Sequence, residues 1–391
     1  MQLPLKNLAS KIGKGLLITS ATIGFLNHSQ AEENKSAVLN LGVEVTAYFD
    51  FYDQFSPQAH AFPGSTSGPV IVDGRIFDKH VNQMTLNMAE ISFKKKSEKV
   101  LFKADIAAGE MVDQLSGGGS QASPNVAANE PTRNVTQATL SYTVNDQFSV
   151  TAGKFYTHMG LEVAKAKDNY QYSRSFTYNY GTPFWHQGVS GTYLIIPGKL
   201  SSTLYLLNAW EGRISQEQNK SSTFGANVNF TGIEGLTANY NYIGGSELAA
   251  SSSRQLHEIN LTYVINPIFT VAADYIAGSQ KDALINSDAK WSGLSLYVKA
   301  VINDFYSISP RYELFDDSDS GFAVSGGLSG AGVKQKISSI TLTNAFNLGD
   351  GLETRLELRS DTSDSELYFK DKNGAASNHQ ESYAAAVLYA F

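Results

Sequence analysis

Along this chain, apolar and polar side chains trade places at every second residue, in segments of about 9–11 positions, a length that crosses a bilayer when the strand is tilted. Period two belongs to the β-strand. The stretch LETRLELRSD, Leu352 to Asp361, shows how firmly it applies. As a helix it would set Glu353 one turn from Glu357, and Arg355 one turn from Arg359, like-charged pairs that repel by ~0.2–0.5 kcal/mol each. As a strand it puts Leu352, Thr354, Leu356 and Leu358 on one face and Glu353, Arg355, Glu357 and Arg359, alternating in sign, on the other. Sixteen such segments can be counted, centred near Val45, Glu90, Ala104, Leu140, Thr151, Gly191, Tyr205, Val228, Tyr240, Leu261, Ala273, Leu296, Ile308, Leu342, Leu356 and Ala386.

The connections between these segments alternate in length. Short ones fall at Lys95–Glu98, Asn145–Gln147, Pro197–Lys199, Thr231–Gly235, Asn266–Pro267, Asn303–Asp304 and Asn347–Gly351. Long ones, rich in Gly, Ser, Asp and Asn, lie near 52–80, 110–134, 157–186, 211–221, 244–255, 278–289, 316–335 and 361–379. A soluble β-sandwich, the competing fold, has no reason to alternate in this way. A transmembrane barrel does, with short periplasmic turns and long external loops. The expected fold is therefore all-β: a transmembrane antiparallel up-and-down β-barrel of about 16 strands, with N- and C-termini periplasmic. On this reading the leucines of LETRLELRSD face lipid and its charges face the lumen. An Arg or Lys on the lipid face near the midplane would cost ~2–4 kcal/mol.

Composition narrows the alternatives. No later segment offers 18 consecutive apolar residues, so no transmembrane helix is expected. Tyr (20) and Phe (21) supply the aromatics that suit strands and interfacial belts. The absence of Cys excludes a disulfide framework and a thiolate metal site. Lys6, Lys11 and Lys14 precede the apolar run Leu16 to Leu26, and Ser29-Gln30-Ala31 follows it. This is the pattern of a signal peptide, 1–31, with a single barrel domain over 32–391. Removing its three lysines takes the formal charge from −7 to −10, which argues against nucleic acid as a partner. At the other end, Tyr383, Ala385, Val387, Tyr389 and Phe391 alternate. Aromatic Phe391 closes the sequence as outer-membrane barrels typically close, and Tyr389 and Phe391 are expected to be read by the barrel-assembly machinery. Three segments resist simple alternation. LSSTLYLLNAW is apolar on both faces, QMTLNMAEISF changes phase midway, and Pro310, inside an expected strand, calls for a bulge.

One segment goes beyond fold class: GKFYTHMGLEVAKAKDNYQYSRSFTYNYGTPFWHQGVSGTYL, Gly153 to Leu194. Gly153-Lys154-Phe155, Gly160 with Glu162, Asn169 before Tyr172-Ser173-Arg174-Ser175, and Pro183 with His186 and Gly188-Val189 resemble the OmpL-like type of β-barrel porin family. Asn208-Ala209-Trp210-Glu211 is similar to that family's ending of the next external strand, and Asn87 to Phe93 is a weaker match. The resemblance implies a general outer-membrane porin of a Gram-negative bacterium and names no solute.

The residues that would carry such a function are the inward charges. Lys103 and Asp105 on the third strand, Arg311 and Glu313 on the thirteenth, and Glu353, Arg355, Glu357 and Arg359 are the pore-lining candidates. They read either as a transverse field that filters ions or as a wall of mutually paired charges. The third long loop, about 156–186, carries Glu162, Lys165, Lys167, Arg174 and, at its exit, His186. It reads as an infolded constriction or as an external cap. The run Asp316-Asp317-Ser318-Asp319 lacks the Gly and Glu of a helical calcium loop and reads as a solvated acidic loop. No His-Glu-x-x-His, Gly-x-Ser-x-Gly or phosphate loop occurs, so neither an enzyme nor a cofactor is expected. The expected function is passive diffusion of small hydrophilic solutes and ions through an outer-membrane channel, with outer-membrane lipids as surroundings. Whether three barrels form a homotrimer stays open. The alternatives are a structural or adhesive barrel with a plugged lumen and, less favoured, an outer-membrane hydrolase.

Overall fold

The computed structural model describes residues 37–39, 42–61, 70–117, 130–211, 221–247, 252–284, 287–326 and 332–391; the expected signal peptide lies outside them. Sixteen long strands follow one another: β1 Val43–Phe55, β2 Thr85–Lys96, β3 Val100–Ala108, β4 Val135–Asn145, β5 Phe148–Tyr156, β6 Trp185–Ile196, β7 Leu200–Leu207 and β8 Thr223–Phe230. The second half is β9 Leu236–Ser246, β10 Ser253–Val264, β11 Phe269–Leu284, β12 Ser287–Val301, β13 Tyr306–Asp316, β14 Lys336–Gly349, β15 Leu352–Ser363 and β16 His379–Ala390. Each pairs antiparallel with its neighbours in sequence, and β16 pairs with β1 from Phe55↔Tyr383 to Tyr48↔Ala390. The barrel is closed, which leaves no strand edge to be satisfied where water is missing.

Closure is completed by both ends of the chain. Phe391 and Ala47 exchange backbone hydrogen bonds of 3.0 and 3.2 Å. A short strand, Ala37–Leu39, then takes up the pairing with β1 at Ala37↔Val45. The seven tight connections gather at this end of the barrel. Four of them are shaped by an Asn carboxamide: Asn145, Asn266, Asn303 and Asn347 each accept an N–H two residues on. Between β14 and β15, Asp350 and Gly351 both take positive φ (52° and 80°), as a two-residue hairpin turn requires.

The distribution of apolar groups is the reverse of a soluble protein's. Leu356 and Leu358 stand outward at 51% and 47% exposure, while Arg355, Glu357 and Arg359 between them are buried. Outward Tyr and Phe side chains ring both ends of the wall, among them Tyr142, Tyr193, Tyr263 and Phe305 at the turn end and Phe55, Tyr275 and Tyr383 at the loop end.

Three local expectations are refined. The phase change in β2 is a bulge at Asn87, where the register passes from Asp50↔Met88 to Phe51↔Leu86. No bulge occurs at Pro310: it faces outward and pairs with Leu342, and the register toward β12 is unchanged from Tyr297↔Arg311 to Ala300↔Ile308. The sixth long connection is not a loop. β11 and β12 continue as a tall hairpin to Leu284↔Ser287, and Gly278, which reads as a loop residue, leaves room for the Trp291 ring opposite it. A helix, α1 Glu110–Gly117, lies within the second long connection.

Candidate functional site

Residues 157–184 leave β5 and return at β6, and between those points they are fastened to the far inner wall. His158 Nε2 lies 2.9 Å from the Tyr242 carbonyl of β9, and its ring stacks on Tyr205 at 4.2 Å. The Gly160 N–H reaches both oxygens of Glu258 on β10 (2.8 and 2.9 Å), and the Leu161 N–H points at Asp274 on β11. Gly160 has φ +101°, and a Cβ there would lie 2.8 Å from the Glu162 carbonyl, so only glycine fits this bend. Glu162 then pairs with Arg311 of β13 at 2.6 Å, with both side chains almost fully buried.

Farther along, the segment crosses to β15, β1 and β2. Lys165 pairs with Glu90. Burial works against the Lys165 charge, but Glu90 and Asp105 outweigh it and hold the ammonium's pKa above its usual value. Arg355 donates to the carbonyls of Ala166 (2.9 Å) and Gln171 (3.0 Å). Glu357 accepts the N–H groups of Tyr172 (2.6 Å) and Ser173 (3.0 Å). The Tyr172 hydroxyl donates to Asp50 (2.9 Å) and accepts from Asn87 (3.1 Å). Arg359 donates to the Arg174 carbonyl (2.6 Å), and Glu313 accepts from the N–H (2.6 Å) and hydroxyl (2.9 Å) of Thr177. There α2, Phe176–Gly181, begins, capped by the Ser175 hydroxyl, which accepts the Tyr178 N–H.

One physical rule covers the contacts made to the loop's backbone. A segment with little regular structure has backbone N–H and C=O groups that no ladder satisfies, and burying them unpaired is costly. The wall carboxylates take the N–H groups and the wall guanidinium groups take the carbonyls.

All eight pore-lining candidates lie on the inner face. Asp105, Arg311, Glu313, Arg355, Glu357 and Arg359 are buried there beneath the loop or their neighbours, whereas Lys103 and Glu353 are half-exposed and paired with Asp105 (3.0 Å) and Arg355 (2.6 Å). Of the loop candidates, Glu162 and Arg174 are buried. Arg174 donates to the carbonyls of Tyr172 and Ala164, and only Lys167, at the tip, is exposed. His186 packs beside His158, bonded to the Thr157 hydroxyl. Burial pushes the His158 imidazole down to about 4. Asp317 is not solvated: it accepts the Ala323 and Val324 N–H groups, and burial raises it to about 6. Among the described residues no group of three or more His, Cys, Asp or Glu side chains is placed to hold a metal.

Sequence reading passed over Glu258, Asp274 and Asp50, although Ile259, Leu261 and Tyr263 on the lipid face already put Glu258 on the inner one. It also missed Arg75 of the first long connection, which reaches Asp361 at 3.0 Å and the Ser382 hydroxyl at 2.9 Å. Tyr205 and Leu207 explain the two-faced β7: both point inward, where Tyr205 receives the His158 ring and Leu207 joins a buried apolar cluster.

The model of a family described as "Putative beta-barrel porin-2, OmpL-like" matches residues 40–391, and the chain belongs to that family. No curated protein matches it in sequence. Among solved structures it is similar to the anion-selective porin of Comamonas acidovorans, with TM-score 0.60 and 12% identity over 89% of this chain and 99% of that one. The outer membrane channel DcaP of Acinetobacter baumannii gives 0.59 and 10% over 91% and 99%. The trimer form of OmpT, an outer membrane protein of Vibrio cholerae, gives 0.53 and 10% over 89% and 99%. At such identities the likeness is one of fold.

Proposed function

We propose that this member of the outer-membrane porin family is a diffusion channel for small hydrophilic solutes, narrowed from within by residues 157–184. The observation that carries the reading is the inverted wall: apolar side chains outward, polar side chains inward, and one long connection drawn across the lumen by Glu258, Arg311, Glu313, Arg355, Glu357 and Arg359. Barrels of about this size enclose an aqueous channel unless it is filled. The chain is non-enzymatic in this reading. Its short turns and both termini face the periplasm, its first 31 residues are removed on export, and Tyr389 and Phe391 guide assembly. Association as a trimer is part of the proposal, by analogy with the Vibrio cholerae protein.

The burial of six of the eight inward charges favours a second reading, a barrel plugged by its own loop. Conductance of purified protein in planar bilayers separates the two. Stepwise single-channel openings support the channel; a sealed bilayer with folded, heat-modifiable protein supports the plug.

A further inference from the structure

The inner wall is divided. Tracing cross-strand partners from Ser141 through Thr151, Ser190, Tyr205 and Gly225 to Ile243 marks the lumen face of β4 to β9. On these six consecutive strands no Asp, Glu, Lys or Arg lies on that face; their one such residue, Lys154 on β5, has the opposite parity, and its ammonium donates to the Thr132 carbonyl over the Trp185 ring. Apart from His186 at the loop end, its polar groups are hydroxyls and carboxamides, and several bond sideways to one another: Ser141 to Thr151 (2.8 Å), Thr192 to Thr203 (2.9 Å), Asn227 to Asn241 (2.6 Å) and Asn229 to Asn239 (2.9 Å). Ser141, Thr151, Asn227 and Asn239 remain half-exposed, and hydroxyls and carboxamides so paired keep donors and acceptors to spare.

The charges stand on the other strands and on the loop, and most of them are withdrawn from the lumen in two ways. Those at loop depth are buried against residues 157–184. Lys94, Lys103, Lys167 and Glu353, which are more open, each sit in an opposite-sign pair, with Glu44, Asp105, Asp168 and Arg355 at 3.2, 3.0, 2.8 and 2.6 Å; Lys299 on β12 is the exception, half-exposed with its ammonium 5.7 Å from the centre of the Tyr170 ring.

We infer that solutes pass along the β4–β9 wall and that the favoured class is neutral and polyhydroxylated, sugars and polyols rather than ions. A sugar hydroxyl can exchange its water hydrogen bonds for bonds to Ser, Thr and Asn groups of the same kind. An ion of either sign loses hydration there and meets no countercharge on that wall, so both signs face a barrier. This inference rests on the diffusion-channel reading.

The test is swelling of liposomes holding the purified protein, in glucose, glucuronate and glucosamine, together with the reversal potential in a KCl gradient. Glucose should enter at least about threefold faster than either charged relative, a modest electrostatic barrier for a narrow low-dielectric passage, and the reversal potential should lie near zero. Thr151→Asp and Thr151→Lys should then move the reversal potential in opposite directions; should either misfold, Asn239→Asp and the wild-type sugar series carry the test. A charged sugar entering as fast as glucose, or strong selectivity for one ion in the wild type, overturns the inference and leaves the channel standing. Entry of no solute, with no conductance, overturns the channel reading and this inference with it.

Discussion

β5 and β15 look into the same lumen from nearly opposite sides, are built by the same period-two rule, and use their inner faces differently. The inner side chains of β15, from Arg355 to Asp361, are buried, and Arg355, Glu357 and Arg359 are spent on the backbone of residues 166–174. The inner side chains of β5, such as Thr151, bond sideways to the neighbouring strand and stay half-exposed. The difference is one of partners. Where an irregular segment must be held, the wall supplies ionised groups, whose hydrogen bonds to backbone are roughly twice as strong as neutral ones. Where the wall's side chains bond no backbone of that segment, hydroxyls and carboxamides suffice. Charge on an inner wall is thus no measure of the charge left open to the lumen.

Removing Arg311 should break the comparison most severely. Arg311→Ala leaves Glu162 buried without its cation and frees the Ser173 carbonyl, and breaking such a buried pair costs ~3–5 kcal/mol. We expect a lower denaturation midpoint in detergent and a larger single-channel conductance as the segment leaves the charged wall. Unchanged conductance would mean that the loop holds its place without the wall. Glu357→Gln is milder: losing a charged acceptor for two N–H groups should cost ~1–3 kcal/mol, seen as faster proteolysis within 157–184. On the uncharged side, Thr203→Val removes the hydroxyl bonds to Thr192 and Tyr205. It should shift stability by ~0.5–1.5 kcal/mol and leave the loop's proteolysis unchanged.

A pH dependence is expected at His158. Its pKa is depressed to about 4, so its neutral form is the one that fits beside Tyr205 and His186. Stability from this group is fully present above the unfolded value near 6.5 and is lost as pH falls toward about 4. Hydrogen exchange of the 157–161 amides should therefore quicken between pH 6.5 and 4, once corrected for intrinsic rates, and His158→Phe should flatten that dependence.

Much of this was legible in the residues. Strand count and inward parity followed from alternation, because lipid leaves no freedom in the outward face: Leu356 and Leu358 had to stand outside Arg355 and Glu357. The sixth connection was misread because its Gly, Ser and Asp residues serve a hairpin that reaches Leu284, where polar strand faces cost nothing in water. The bulge expected at Pro310 was unnecessary because its ring faces outward, so only a ladder donor is lost and the register holds. The loop's partners were the least legible. Nothing local in LHEINL marks Glu258 as the acceptor for Gly160, 98 residues away.

The division of the wall can be tested directly because the chain has no cysteine of its own. Single cysteines at Thr151 on β5 and Thr341 on β14 would report which inner face meets water; Thr341 is 0% exposed and accepts a 3.0 Å bond from Arg311. With a membrane-impermeant methanethiosulfonate reagent, Thr151→Cys should react readily and conductance should fall as it does. Thr341→Cys should react at least about tenfold more slowly, since labelling there awaits local opening of the loop. Equal rates at the two positions, or faster labelling at Thr341, would contradict a lumen whose open side is the uncharged wall.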